Sequence, residues 1–325
     1  MGNQKPILLS GVKPTGRPHI GNYFGAMKQF VDLQNEYDCF IFIPDYHALT
    51  NLHDPKQIRQ DTFELAIDYL AIGLDPANVK LFKQSDVPQV TELAWIFNCI
   101  TTMPYLMRAH AFKDAEAKNK ELSVGTFDYP MLMAADILIY NSNIVPVGED
   151  QRQHVEYARD TAEKFNRIFG ETFKLPELYI KKEVSIVPGI DGQKMSKSYN
   201  NTIPLFAEDD EIKSQVMKIV TDSKTPEEPK DIETDNIFAL HKLFSPDQLN
   251  DLTKRYKEGG IGYKESKEIL AENIIKFIAP LREKRKGIAS DPEKVKEILK
   301  TGAEHARAVA EAKMTEVRQK TGLSL

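Results

Sequence analysis

Three segments of the chain carry residue types whose spacing suits chemistry. The first follows the apolar run Ile7-Leu8-Leu9 and reads Ser10-Gly11-Val12-Lys13-Pro14-Thr15-Gly16-Arg17-Pro18-His19-Ile20-Gly21-Asn22. A glycine- and proline-rich loop opening into a helix aims backbone N–H groups and the positive end of the helix dipole at an anion. The same composition also makes an ordinary strand-to-helix turn. The second segment, Gly192-Gln193-Lys194-Met195-Ser196-Lys197-Ser198, sets two lysines and two hydroxyls on a glycine-flanked loop. Such a loop is either solvated surface or a clamp on the charge that builds on a phosphate leaving group. The third is Tyr129-Pro130-Met131-Leu132-Met133-Ala134-Ala135-Asp136-Ile137-Leu138, where Met133 and Asp136 share a helix face in apolar surroundings. A carboxylate there is costly unless something donates to it, either another part of the chain or a ligand.

Charge and composition narrow the setting for these groups. Lys and Arg number 43 against 48 Asp and Glu, a net charge of -5, which excludes a protein that coats nucleic acid by bulk electrostatics and leaves local basic patches open. Cys39 and Cys99 are the two cysteines, with no CxxC and no adjacent histidine pair, so neither a disulfide framework nor structural zinc is expected. The most apolar runs are too short for a membrane span. Residues 1–11 lack the features of an export signal or a myristoylation site, and the expected location is the cytoplasm. Both G-x-G-x-x-G and G-x-x-x-x-G-K-[ST] are absent, which argues against nicotinamide cofactors and P-loop chemistry.

The elements that must position these residues alternate in the first half of the chain. Strands are expected at residues 7–9, 39–43, 79–82 and 144–147, with helices from about His19 to Gln34, from Asp54-Pro55 to Gly73, around Trp95, from Met131 to Tyr140, and from Gly148 to Gly170. That alternation predicts an α/β fold, a doubly wound parallel Rossmann-like sheet. From about Ile203 the strands stop. Ser245-Pro246-Asp247-Gln248 reads as a capped helix start running to Gly259-Gly260, and Asp291-Pro292 opens a last helix. The expected division is a catalytic domain over 1–203 and an α-helical domain over 204–325, with the last helix, about 292–320, packing back on the first. Lys224 to Lys230 reads as a surface loop. Asp45 and His47 end the second strand, and Gly148-Glu149-Asp150-Gln151 ends the fourth, at the carboxyl rim where open α/β sheets bind ligands.

His19-Ile20-Gly21-Asn22 at the first strand-to-helix turn, with Lys194-Met195-Ser196-Lys197-Ser198 after the sheet, resembles the paired signatures of class I aminoacyl-tRNA synthetases. The loop Ser10 to Gly16, the segment Ile43-Pro44-Asp45-Tyr46-His47-Ala48-Leu49-Thr50, Ala134-Ala135-Asp136 and Gly148 to Gln151 extend the likeness along the chain to the bacterial type of the tryptophan branch. Tyrosine enzymes typically carry Gln at the position held here by Met133, which disfavours that sister branch. Family members commonly carry Gln where Lys13 stands and Phe where Leu9 stands.

The resemblance implies ATP-dependent activation of L-tryptophan to tryptophanyl-adenylate and pyrophosphate, then acyl transfer to tRNA(Trp), with Mg2+ accompanying ATP. By the same resemblance Thr15, His19, Asn22, Lys194, Ser196 and Lys197 are catalytic. Lys13, Thr15, Gly21, Asn22, Gly148, Asp150, Val187, Lys194 and Ser198 hold the nucleotide. Leu9, Gly11, His47, Met133, Asp136 and Gln151 hold tryptophan, Asp136 accepting the indole N–H while Met133 packs on the ring. The helical domain is expected to bind the anticodon, with Arg282, Lys284, Arg285 and Lys286 as its densest basic cluster. A homodimer is expected as well, and the run of large apolar residues from Trp95 to Met107 is suited to a self-complementary contact.

Overall fold

The computed structural model describes residues 5–109, 112–113, 116, 121–146, 148, 152–179 and 187–324. Within them the strands Ile7–Gly11 (β1), Asp38–Ile43 (β2), Val79–Lys83 (β3), Ile144–Pro146 (β4) and Glu177–Tyr179 (β5) form one parallel sheet in the order β3-β2-β1-β4-β5. In register, Leu8 lies between Cys39 of β2 and Ile144 of β4. From β1 the chain steps outward to β2 and β3, and then β4 and β5 fill the other side. The order therefore reverses between β1 and β4, and the crevice at their carboxyl ends is where such sheets take ligands. β2 is buried from Cys39 to Ile43, as a strand covered on both faces is. Gly11 closes β1 where a Cβ would overlap the carbonyl oxygen of Phe42, so β1 and β2 approach there as only glycine allows.

Two compact units divide the chain. The first comprises residues 1–16, 29–182 and 291–325, and contains the sheet with the helices Pro55–Ala71, Gln89–Ile100, Val124–Ile139, Arg152–Phe169 and Pro292–Thr321. Asp54 opens Pro55–Ala71 by accepting from the N–H groups of Lys56 and Gln57, with proline at the first helical position. The helix Pro292–Thr321 buries Val295, Leu299, Gly302, Ala303, Ala306, Ala310, Met314 and Val317, a stripe at helical spacing whose middle, Gly302 to Ala310, is small. That stripe lies on edge strand β3. A Cβ at Gly302 would overlap the backbone of Leu81, so the helix and strand meet main chain to main chain. Arg318 bridges Glu92, and Arg307 donates to the carbonyl of Asp86, which fix the helix along its length.

The second unit comprises residues 17–28 and 183–290, with the helices Asp209–Met217, Asn236–Phe244, Leu249–Glu258 and Tyr263–Ala289. Phe238, Leu252, Tyr256 and Ile261 form a core within it. His241, fully buried, bonds Ser245 Oγ through Nδ1 (2.7 Å) and Ser266 Oγ through Nε2 (3.0 Å).

This division differs from a single cut after residue 203. Residues 17–28 group with the helices because Ile20 N donates to the carbonyl of Ile203 (3.0 Å) and Leu205 N to that of Pro18 (2.9 Å). Tyr23 and Phe24 reinforce this by packing on Phe277, and Phe24 also on Phe244. Three local expectations also change. The helix carrying Asp136 begins at Val124, capped by Ser123, and passes through Pro130 where the sequence suggests a boundary. Ser245 makes no cap bond, since its hydroxyl is committed to His241 and Asn273; the turn Pro246–Gln248 is 3-10, and the α-helix starts at Leu249. β5 is a strand that the sequence pattern does not place.

Candidate active site

The loop after β1 is pinned by Pro55–Ala71: Tyr69 Oη accepts from Val12 N (2.8 Å) and Asp61 from Gly16 N (2.9 Å), where Gly16 takes a left-handed turn. These bonds set Lys13 and Thr15. The Lys13 ammonium donates to Thr50 Oγ1 (3.2 Å), and that hydroxyl donates to the carbonyl of His47 (2.8 Å). Burial lowers the Lys13 pKa from its ordinary value. Lys13 thus reaches the rim that ends β2.

On that rim, in the first unit, stands Asp136, only 2% exposed. Gln84 Nε2 lies 2.8 Å from both its oxygens, and His47 Nε2 2.9 Å from Oδ2. Gln84 is itself held by accepting from the N–H groups of Tyr46 and His47. Asp45 accepts from Ser85, locking the turns after β2 and β3 together. Burial raises the Asp136 pKa, while His47 and Gln84 pull it the other way. Tyr129, one helical turn before Met133, packs its ring edgewise on His47 and bonds His154 Nε2. Met133 is partly buried against the core. The carboxylate, whose Oδ1 carries one of these contacts and can take a further donor while Oδ2 carries two, is a rigid acceptor in an apolar wall. Gln84 is the member of this group that the sequence pattern does not reveal; its place directly after β3, at the same rim as Asp45 and His47, is the signal that marks it.

In the second unit, His19 caps the turn Ile20–Asn22. Its Nδ1 accepts from Asn22 N (3.2 Å), while Asn22 Oδ1 accepts from His19 N (3.1 Å), a reciprocal capping box. Burial, and then the charge of Lys197, lower the His19 pKa to about 4. The ring is neutral at pH 7, and with Nδ1 used as acceptor its proton sits on Nε2, a donor. At Gly21 a Cβ would stand 2.9 Å from His19 Nδ1 and 3.1 Å from Met195 Cβ, so glycine lets the lysine loop approach the histidine.

That loop is anchored at two points. Met195 is 4% exposed among exposed neighbours, and its N–H donates to the carbonyl of Val187 (3.1 Å). The second anchor is Asn201, a buried residue that no motif in the sequence singles out. It accepts from Ser196 N (2.7 Å) and donates to Asp191 (2.7 Å) and to the carbonyl of Lys194 (3.2 Å). Ser196 Oγ accepts from Ser198 N. An isolated bridge pairs His19 with Pro204, just beyond the loop. His19, Asn22, Gly21, Val187, Lys194, Ser196, Lys197 and Ser198 are thus brought together in the second unit. Leu9, Gly11, Lys13, Thr15, His47, Met133, Asp136 and Gly148 belong to the first. Leu9 packs in the sheet's core. Asp150 and Gln151 lie outside the described residues.

The basic cluster is largely committed within its own unit. Arg282 donates to the carbonyl of Ala207 and to Asp209, Lys286 pairs with Glu208 and Glu283, and Arg285 stacks over Phe206. These contacts make Arg282, Arg285 and Lys286 a strut for residues 206–209, while Lys284 and Lys286 remain exposed.

The family model for class I tRNA synthetases (W and Y) matches residues 1–279. The tryptophan–tRNA ligase of Rhodopirellula baltica is 50% identical over 97% of this chain and 99% of its own, and that of Fusobacterium nucleatum is 49% identical over 97% of each. A crystal structure of tryptophanyl-tRNA synthetase from Campylobacter jejuni, complexed with ADP and tryptophan, superposes with a TM-score of 0.89 at 46% identity, covering 97% of this chain and 99% of that one.

Proposed function

The chain belongs to the class I tRNA synthetases for tryptophan and tyrosine and acts as a tryptophan–tRNA ligase, and from that premise we propose how its residues divide the work. The tryptophan carboxylate attacks the α-phosphorus of ATP. A carboxylate oxygen–phosphorus bond forms, the bond to the bridging oxygen breaks, and pyrophosphate leaves. A hydroxyl of the terminal ribose of tRNA(Trp) then attacks the acyl carbon, the ester forms, and AMP leaves with the hydroxyl proton passing to its phosphate or to water. The attacking carboxylate is already ionised, so positioning and charge stabilisation suffice.

His19 donates from Nε2 to a phosphate oxygen, with Asn22 and Gly21 shaping the turn that holds it. Lys194 and Lys197 neutralise the departing pyrophosphate, and Ser196 and Ser198 add hydrogen bonds. Thr15, Lys13, Gly148, Asp150 and Val187 complete the nucleotide contacts. Asp136 accepts the indole N–H while Met133 covers the ring and His47 orients the carboxylate; Leu9, Gly11 and Gln151 close the remaining sides. Mg2+ bound together with ATP would add positive charge at its phosphates beside Lys194 and Lys197. Among the described residues no group of three or more His, Cys, Asp or Glu would hold it independently.

The observation that supports tryptophan best is the buried Asp136 acceptor beside Met133. ATP–pyrophosphate exchange with each of the twenty amino acids tests it: tryptophan alone is expected to support exchange, and equal exchange with tyrosine overturns the assignment. The helical unit is proposed to take the anticodon arm. A second copy of the chain is proposed to cover Trp95, 70% exposed, together with exposed Met103 and Met107; sedimentation equilibrium showing a species near 36.9 kDa overturns this. Among the described residues no helix is long and apolar enough to cross a membrane, and the proposed location is the cytoplasm.

A further inference from the structure

We propose that Arg282 is a positioning residue for adenylate formation, holding the segment 203–209 that registers His19 and ends the lysine loop. The inference rests on the functional reading above. Each part of that segment is tied in one of two directions. At its start, Ile203 accepts from Ile20 N, Pro204 bridges His19, and Leu205 donates to Pro18. Just before it, Asn201 clasps the backbone at Lys194 and Ser196. At its end, Arg282 Nη1 donates to the carbonyl of Ala207 (2.6 Å) and Nη2 to Asp209 Oδ1 (2.7 Å), while Nε stands 3.4 Å from Glu208.

Arg282 is 9% exposed, so this fork sits in a place where an unpaired cation is not tolerated. Arg285 over Phe206 and Lys286 beside Glu208 brace the same four residues. Tyr23 and Phe24, on the turn that follows His19, rest on Phe277 of the same long helix. The helix Tyr263–Ala289 therefore grips both strands of the His19–Pro204 bridge, one through an aromatic contact and the other through a guanidinium fork. A displacement of 206–209 moves Pro204, and with it the spacing between the His19 donor and the lysines. Misplacement on the order of 1 Å costs a reaction of this kind about 10²-fold.

Arg282→Lys keeps the charge but cannot reach Ala207 and Asp209 together. In ATP–pyrophosphate exchange with tryptophan, per folded active site by titration, it is expected to lower kcat about 10-fold to 100-fold with the KM for tryptophan unchanged. Asp209→Asn, at the more exposed end, is expected to lower kcat less, and the double variant to fall no further than Arg282→Lys alone because both act through one fork. Unchanged kcat in Arg282→Lys, a rise in tryptophan KM equal to the fall in kcat, or fully additive losses each overturn the proposal. If Arg282→Lys does not fold, Asp209→Asn and Phe206→Leu decide: unchanged kcat in both overturns it, and lowered kcat with unchanged tryptophan KM supports it. Absence of tryptophan-dependent exchange in the unaltered chain overturns the functional reading instead.

Discussion

Asp136 and Lys197 are charged groups held in opposite ways. Asp136 is buried and over-determined, with two partners that are themselves pinned to the turns after β2 and β3. Lys194 and Lys197 are exposed on a loop secured by Met195 and Asn201. The contrast follows from the work each region does. Telling an indole from other rings needs an acceptor that no water can replace and that is expensive to leave unpaired. Neutralising charge that appears only during bond breaking needs cations on long side chains that reach in, with a base firm enough to aim them.

The sharpest test of the contrast removes the buried group. Asp136→Ala leaves the donors of His47 and Gln84 unpaired and takes away the indole acceptor. The expected result is a fall in kcat/KM for tryptophan of about 10³-fold to 10⁴-fold, with phenylalanine less well rejected. A retained preference for tryptophan over phenylalanine breaks the comparison. Lys197→Ala is expected to lower kcat for exchange about 10²-fold to 10³-fold with unchanged tryptophan KM and an unchanged melting temperature, because the side chain is exposed. Loss of stability there would mean that the loop is structural.

A pH series separates burial from exposure without touching the reaction. His241 is fully buried and burial lowers its pKa to about 4. The unfolded chain takes up its proton near pH 6.5 and the folded chain near 4, so this stabilisation is complete above 6.5 and is lost as pH falls toward 4. Between those limits it amounts to about 3 kcal/mol. In urea titrations His241→Gln is expected to flatten the fall in unfolding free energy over that window; an unflattened curve assigns the pH dependence to other groups. The smallest effect is expected from Asn201→Ala, which loosens the loop's base while leaving its lysines intact: about a 10-fold drop in kcat, tryptophan KM unchanged. A drop as large as that of Lys197→Ala would show that aiming, not charge, dominates the clamp.

What was legible in the sequence was local. His19 and Asn22, three apart, make their own capping box, and Lys194 to Ser198 is a contiguous loop, so spacing alone exposes both. The α/β alternation came through as well, since β1 to β3 and the fully buried three-residue β4 stand out as apolar runs, whereas β5, equally short, begins at an exposed glutamate and does not. Gln84 and the strut role of Arg282 escaped because they exist only across distance: Gln84 meets a carboxylate 52 residues on, and Arg282 a carbonyl 75 residues back; Asn201 has near neighbours for partners but stands in no motif that marks it. The cluster around Arg282 misled for the same reason, because its counter-charges at Glu208 and Asp209 are remote in sequence. Pro130 misled as a helix boundary since a proline within a helix is the exception, tolerated here in a segment buried on much of its surface.

The helix on β3 also sets an order of events during synthesis. Arg307 and the Asp86 carbonyl it caps are 221 residues apart. At ribosomal speed the strand emerges on the order of ten seconds or more before the helix that lies on it. Through that interval β3 is a sheet edge without its covering element, the state in which strands recruit foreign partners. The nascent first unit must therefore wait, guarded or folding slowly, while residues 183–290 of the second unit pass through the exit tunnel, and only then can Gly302 settle against Leu81.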